Sequence, residues 1–162
     1  MLKKPISQVE GSKNLLESFQ CISMKINHLF VYGTLQHPHV WRGVVNGEYE
    51  HVSGRLDGYK PSHLKGKVYP GLVAEEASFA EGLVYLDVSD EDLKRLDAFE
   101  GRDYRRIEVE IDLDDGTDLR CMTYLYIGDS NQVNRMYWRY ENYLLDGHDQ
   151  FLSGYSGWDE VR

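Results

Sequence analysis

At 162 residues the chain suits one domain with a single sizeable core. A hydrophobic fraction of 41% beside 28% charged residues reads as soluble and globular rather than disordered. The net charge of −9, with Lys and Arg scattered, argues against nucleic-acid binding and against docking on an anionic membrane surface.

Residues 1–25 are polar and weakly patterned, and are expected to be a poorly ordered extension to a single domain over 26–162. The start "MLKK" is not followed by an apolar stretch, so no secretory signal is read there. No run is long and apolar enough to span a bilayer, and a cytoplasmic location is the default expectation. The two cysteines, Cys21 and Cys121, form no CxxC pair, and Cys121 sits in an apolar run that suits a small buried residue.

Strand-like runs dominate from there. "HLFVYG" (28–33) is the first. "YEHVSGRLDGY" (49–59) reads as one long strand or two, with Gly54 as a bulge or bend. "VYPGLVAEE" (68–76) holds Pro-Gly and predicts an edge or bent strand, and "AEGLVYLDV" (80–88) predicts another. "YRRIEVEIDL" (104–113) alternates, with Ile107, Val109, Ile111 and Leu113 on one face. It predicts a hairpin with "LRCMTYLYIG" (119–128) across Asp115-Gly116.

Helices are fewer. "HPHVWRGVV" (37–45) suits a short one. "SDEDLKRLDAFEG" (89–101) is the clearest, with Ser89 as N-cap, Asp92 completing a box-like cap, and Gly101 ending it. Its Leu93, Leu96 and Phe99 share one face. "QVNRMYWRYENYLLDG" (132–147) predicts a second, tyrosine-rich helix. The class is α+β, with mostly antiparallel strands that can curl into a small barrel flanked by helices.

Few motifs carry chemistry by themselves. HExxH is absent, and His37 and His39 of "HPH" read as surface histidines, so no metal site is expected. "DLDDGTD" (112–118) departs from a calcium loop in the place of its glycine and of the closing carboxylate, and reads as a hairpin turn. GxSxG, GxGxxG and the P-loop are all missing. Among carboxylates, Glu100 stands at the negative end of the 89–101 helix beside Leu96 and Phe99, and both features disfavour its charged form. A Glu so tuned suits general acid–base work near neutral pH. On local sequence alone the plainer reading, a solvated carboxylate at a helix end, is preferred. Glu81 reads as a charge on an edge strand, Asp97 as a local cap or pair, and Trp138 and Trp158 as packing residues. The tail "GYSGWDEVR" carries no readable feature.

Three segments taken together resemble the gamma-glutamylcyclotransferase-like family, in the branch typified by plant avirulence-induced proteins. They are "FVYGTL" (30–35), "LKGKVYPGLV" (64–73) and "EGLVYLDVSDEDLKRLDAFEGRDYRR" (81–106), in matching order and spacing, and the likeness runs over roughly residues 28–128. The resemblance implies a compact β-barrel flanked by helices with one cavity. It implies conversion of a small γ-glutamyl amine or amino acid to 5-oxoproline and a free amine, with no cofactor and no metal. The loop of Tyr32, Gly33, Thr34 and Leu35 is then expected to bind the γ-glutamyl part through backbone amides. Glu100 is expected to be the acid/base, Tyr104 to line the pocket and Arg106 to be structural. Physically, Gly33 permits close backbone approach, and successive inward N–H groups make an anion nest. The competing expectation is a non-catalytic module that binds a small carboxylate in the same cavity. A monomer or homodimer is expected either way.

Overall fold

The computed structural model describes residues 25–162. The expected N-terminal extension therefore lies outside the described residues, apart from Lys25, whose ammonium meets Asp90 at 2.6 Å.

Six strands form one sheet, and five of them close on themselves. They are β1 (Leu29–Val31), β2 (His51–Leu64), β3 (Pro70–Tyr85), β4 (Tyr104–Leu113), β5 (Asp118–Tyr126) and β6 (Val133–Tyr137). The order β3-β1-β5-β4-β2 is completed by pairing of β3 with β2, so these strands make a mixed barrel and β6 adds to the outside of β2. All pairs are antiparallel except β1 with β5. Closure leaves β1 buried on both faces. Phe30 points into the barrel with Leu56, Leu72, Val84, Ile111 and Cys121. Leu29 and Val31 point outward, against the helices.

Two expected strands fuse. The stretches 68–76 and 80–88 are parts of one bent β3 paired along β2 from His51↔Tyr85 to His63↔Pro70. The bend comes where Asp57 faces Phe79 and Tyr59 faces Ala74, with Gly58 at φ 87° between them. Residues 75–78 bulge there, which is how a polar "EEAS" interruption is accommodated without ending the strand. Gly54, expected at a bulge, instead keeps register opposite Gly82 and Leu113. A Cβ there would stand 2.5 Å from Ile111 Cγ2, so the glycine serves close strand crossing.

The helices are α1 (Pro38–Val44), α2 (Asp90–Glu100), α3 (Tyr140–Asp146) and α4 (His148–Gly154). Ser89 caps α2 as expected, its hydroxyl accepting from Asp92 N–H at 3.1 Å. Asp92 does not reach back in a box. Its buried carboxylate accepts from Asn46 N–H, Gly47 N–H and the Tyr49 hydroxyl, tying the loop after α1 to α2. Gly101, at φ 85°, ends the helix, and Leu93, Leu96 and Phe99 are buried on one face.

The single helix expected over 132–147 is corrected. Residues 133–137 are strand β6, pairing Ser62↔Tyr137 and Leu64↔Val133, and only 140–146 are helical. The exposed rim of β2 offers unpaired backbone groups that this segment satisfies, and the indole of Trp138 fixes the turn by donating to Val68 O at 2.9 Å. The last residues pack on α2. Trp158 meets the Phe99 ring edge-on at 4.8 Å between centroids, and Tyr155 meets it at 4.9 Å.

Candidate functional site

The chain leaves β1 into a one-turn 3-10 helix, Thr34–Gln36, with Gly33 before it. The Gly33 and Thr34 carbonyls accept from Gln36 and His37 N–H, which closes the turn. Among the described residues, no backbone carbonyl accepts from the N–H groups of Gly33, Thr34 or Leu35. This is the orphan-donor pattern of a helix start, here at a pocket wall. A Cβ on Gly33 would press on the Pro70 ring at 3.0 Å, so the residue type is set by the close approach of β1 and β3.

That pocket unites the sequence candidates. Tyr32, Gly33, Thr34, Leu35, Glu100 and Tyr104 all line one pocket that opens to the surface. They come from three parts of the frame: the β1 exit, the last residue of α2 and the first residue of β4. The remaining wall is mostly aromatic, with Tyr69, Tyr124, Phe151 and Tyr155 among its residues. Tyr104 donates its hydroxyl to Pro70 O at 2.6 Å, and Tyr32 donates to Tyr124 O at 2.7 Å. Both rings are thereby fixed as walls.

The Glu100 carboxyl is pushed up to about 8, first by removal from water and then by the nearby Asp97 carboxylate. It makes no ion pair among the described residues, unlike Asp97. Asp97 accepts from Arg106 at 2.9 and 3.1 Å and from the Tyr124 hydroxyl at 2.6 Å. Arg106 is therefore occupied by Asp97 and does not line the pocket. Burial likewise raises the Tyr32, Tyr104, Tyr124 and Tyr155 hydroxyls, so all stay protonated donors at neutral pH. One group of the pocket can change protonation near neutrality, and it is Glu100.

Glu81 lies elsewhere, exposed on the wall of a separate open groove with Arg55 and Arg139. It pairs with Arg55 on β2, while on the other side the pairing with β1 reaches only as far as Leu83. Cys121 is buried and its thiol is pushed up to about 12 by desolvation, which removes it as a nucleophile.

Sequence reasoning missed Tyr155 and Phe151. Tyr155 donates its hydroxyl to Phe99 O at 2.6 Å and to Glu100 O at 3.1 Å, closing the end of α2. No local pattern signals this, since the contact spans more than fifty residues. Tyr69 and Pro70 sit in the quoted "VYPG" motif, where their place on the wall had a signal that was not read as lining.

The family model described as "Gamma-glutamyl cyclotransferase, AIG2-like" matches residues 29–144. The chain belongs to this family. As a gamma-glutamyl cyclotransferase, AIG2-like chain it is 32% identical over 122 residues to AIG2-like protein A of Arabidopsis thaliana, across 75% of this chain and 74% of that protein. It is 33% identical over 126 residues to AIG2-like protein C of the same plant, across 77% and 73%. The solution structure of an Arabidopsis thaliana protein, 30% identical, superposes with a TM-score of 0.61 over 81% of this chain and 89% of that one. A structure described as a gamma-glutamyl cyclotransferase superposes at 0.53 with 16% identity, over 83% and 85%, which shows the shared fold. Glu100, Tyr104 and the 32–35 turn all fall inside the matched segment of the AIG2-like family, while Phe151 and Tyr155 lie beyond it.

Proposed function

We propose that the chain is a cyclotransferase that converts a small γ-glutamyl amine or γ-glutamyl amino acid to 5-oxoproline and a free amine. The observation that carries this reading is the Glu100 carboxyl, desolvated in the pocket that also holds the free 33–35 amides, in a chain of this family.

In this reading the N–H groups of Gly33, Thr34 and Leu35 hold the substrate's α-carboxylate, and the aromatic wall folds its side chain back on itself. The substrate arrives with an ammonium, which is not a nucleophile. Glu100, ionised, takes a proton from it. The freed amine attacks the γ-carbonyl carbon, so one C–N bond forms and closes the five-membered ring. The C–N bond to the leaving amine then breaks as Glu100 returns the proton to that nitrogen, and the second proton shed by the ring nitrogen on becoming an amide passes through the same carboxylate to the departing amine, which leaves as an ammonium. No atom is left on the protein, and no nucleophilic side chain is required.

The physical demands are modest. Amine and carbonyl belong to one molecule, and well-oriented intramolecular attack reaches effective molarities of about 10⁵ M or more. An incoming ammonium lowers the Glu100 pKa by direct attraction, so binding itself favours the base form. The amides of the wall and the Tyr69 hydroxyl are the available donors for an oxyanion, since the other wall tyrosines already donate to protein oxygens.

The test is to incubate the protein with a panel of γ-glutamyl amines and amino acids and to detect 5-oxoproline by mass spectrometry. Product from one class of leaving group supports the reading and names that class. No product from any of them rejects the enzyme for that panel.

A further inference from the structure

A second cluster lies outside the pocket, and the reaction does not use it. His37 and His39 flank Pro38 at the start of α1. His148, more than a hundred residues on, begins α4. The fold stacks the rings of His37 and His148 with centroids 3.8 Å apart, and His37 and His39 are 5.8 Å apart. One ring nitrogen from each of the three lies within 4.8 Å of the others. From these placements we propose that His37, His39 and His148 form a binding site for a divalent transition-metal cation of the borderline class, such as Zn²⁺, Co²⁺ or Ni²⁺.

The chemistry of the three groups favours this over a packing cluster. Imidazole is the nitrogen ligand that this class of cation prefers, and three histidines with remaining positions open to water are a sufficient set. Among the described residues, no carboxylate lies within 4.0 Å of these three rings, since His28 is the histidine that meets an acid, Asp87. Protonated, the three would repel one another with nothing to offset the charge. Arg42, one turn along α1, adds positive charge nearby and works against a cation, so the nitrogen donors must supply the affinity.

Ring orientation is partly prepared. The Tyr143 hydroxyl meets His148 Nδ1 at 2.8 Å. When Nδ1 carries the proton, this contact fixes the tautomer that leaves Nε2 as the ligand, the usual role of an outer partner. His37 Nδ1 accepts from His39 N–H at 3.1 Å, and ligation exchanges that one exposed bond for the metal. Nitrogens bound to one Zn²⁺ at about 2.0 Å lie within about 4 Å of one another, so the cluster must contract. The exposed His39 side chain is free to make that move.

The position gives such a cation a structural effect. His37 follows Leu35 by two residues and His148 precedes Phe151 by three, and Leu35 and Phe151 both line the pocket. A cation here would staple the 33–36 turn to the C-terminal segment. This inference stands whether or not the pocket is catalytic.

The experiment uses the full chain freed of metal with a chelator. Co²⁺ is titrated by visible absorption and Zn²⁺ by calorimetry, on the parent, His39→Ala, His148→Ala and, as a control, His63→Ala on β2. The expected result is one cation per chain, binding at least about tenfold weaker in His39→Ala and in His148→Ala, and unchanged in His63→Ala. His39 is exposed, so its removal leaves the fold intact and the comparison readable. Absence of saturable binding by the parent, or binding indifferent to both substitutions, overturns the proposal.

Discussion

The Asp97 carboxylate, one helical turn before Glu100, is gripped by Arg106 through Nε at 2.9 Å and Nη2 at 3.1 Å. This pair sits behind the pocket, and its Asp97 carboxylate helps to raise the Glu100 carboxyl. Replacing Asp97 by Asn removes a negative charge and leaves the Arg106 guanidinium uncompensated. Both changes favour ionised Glu100. If Glu100 is the base, activity rises with pH as that group ionises, and in Asp97→Asn this rise moves to lower pH by roughly one unit. A pH–rate profile of 5-oxoproline formation for parent and variant checks it. A rise at unchanged pH contradicts it.

Glu100 also links stability to pH. Its carboxyl titrates near 8 in the fold but near the ordinary value of 4.5 when unfolded. Below about pH 4.5 both states hold the proton and the group is neutral to stability. As pH rises toward 8 the unfolded chain ionises while the folded one resists, so stability is lost across that window. Glu100→Gln should therefore unfold at higher denaturant than the parent, by on the order of 2–4 kcal/mol at pH 8, with no gain at pH 4. Denaturant titrations at the two pH values measure this.

Tyr155 separates hydroxyl from ring. Tyr155→Phe keeps the wall but leaves the Phe99 and Glu100 carbonyls without their donor, at about 1 kcal/mol. Tyr155→Ala opens the pocket to water and costs roughly 2–4 kcal/mol, because the ring packs on Tyr69, Phe99 and Phe151. Water admitted beside Glu100 lowers its pKa, so the alkaline rise in rate moves to lower pH in Tyr155→Ala and stays in place in Tyr155→Phe.

Barrel closure rests on Gly82, where an added Cβ would overlap the Val31 carbonyl oxygen across the β1–β3 pair. Gly82→Ala should cost at least about 3 kcal/mol. Gly154→Ala, whose Cβ meets nothing within 4 Å, stays within about 0.5 kcal/mol of the parent. Thermal unfolding of both variants distinguishes a closure effect from a general intolerance of alanine.

Much of the site was legible because its residues punctuate elements. Glu100 and Gly101 end a helix whose cap and apolar stripe are written locally, and the 32–35 turn ends a strand with glycine. The β4–β5 hairpin followed from strict alternation and Asp115-Gly116. Four features were not legible, and each depends on distant partners. The 133–137 strand exists because β2 presents an open edge to it. The long β3 exists because β2 runs beside its polar middle. Tyr155 reaches the end of α2 from the tail, and His148 joins His37 and His39 from the other end of the chain. Local pattern carries none of these, since the chain segments involved are brought together only by the closed barrel.

The most direct test of the account compares turnover and binding in the same two proteins. Parent and Glu100→Gln are each given the γ-glutamyl panel, with 5-oxoproline measured by mass spectrometry and affinity by calorimetry. The account predicts product from the parent, a loss of at least about a thousandfold in the variant, and comparable binding by both. Undiminished turnover by Glu100→Gln would remove Glu100 from the chemistry. Binding by both proteins with product from neither would make the pocket a carboxylate-binding site without catalysis.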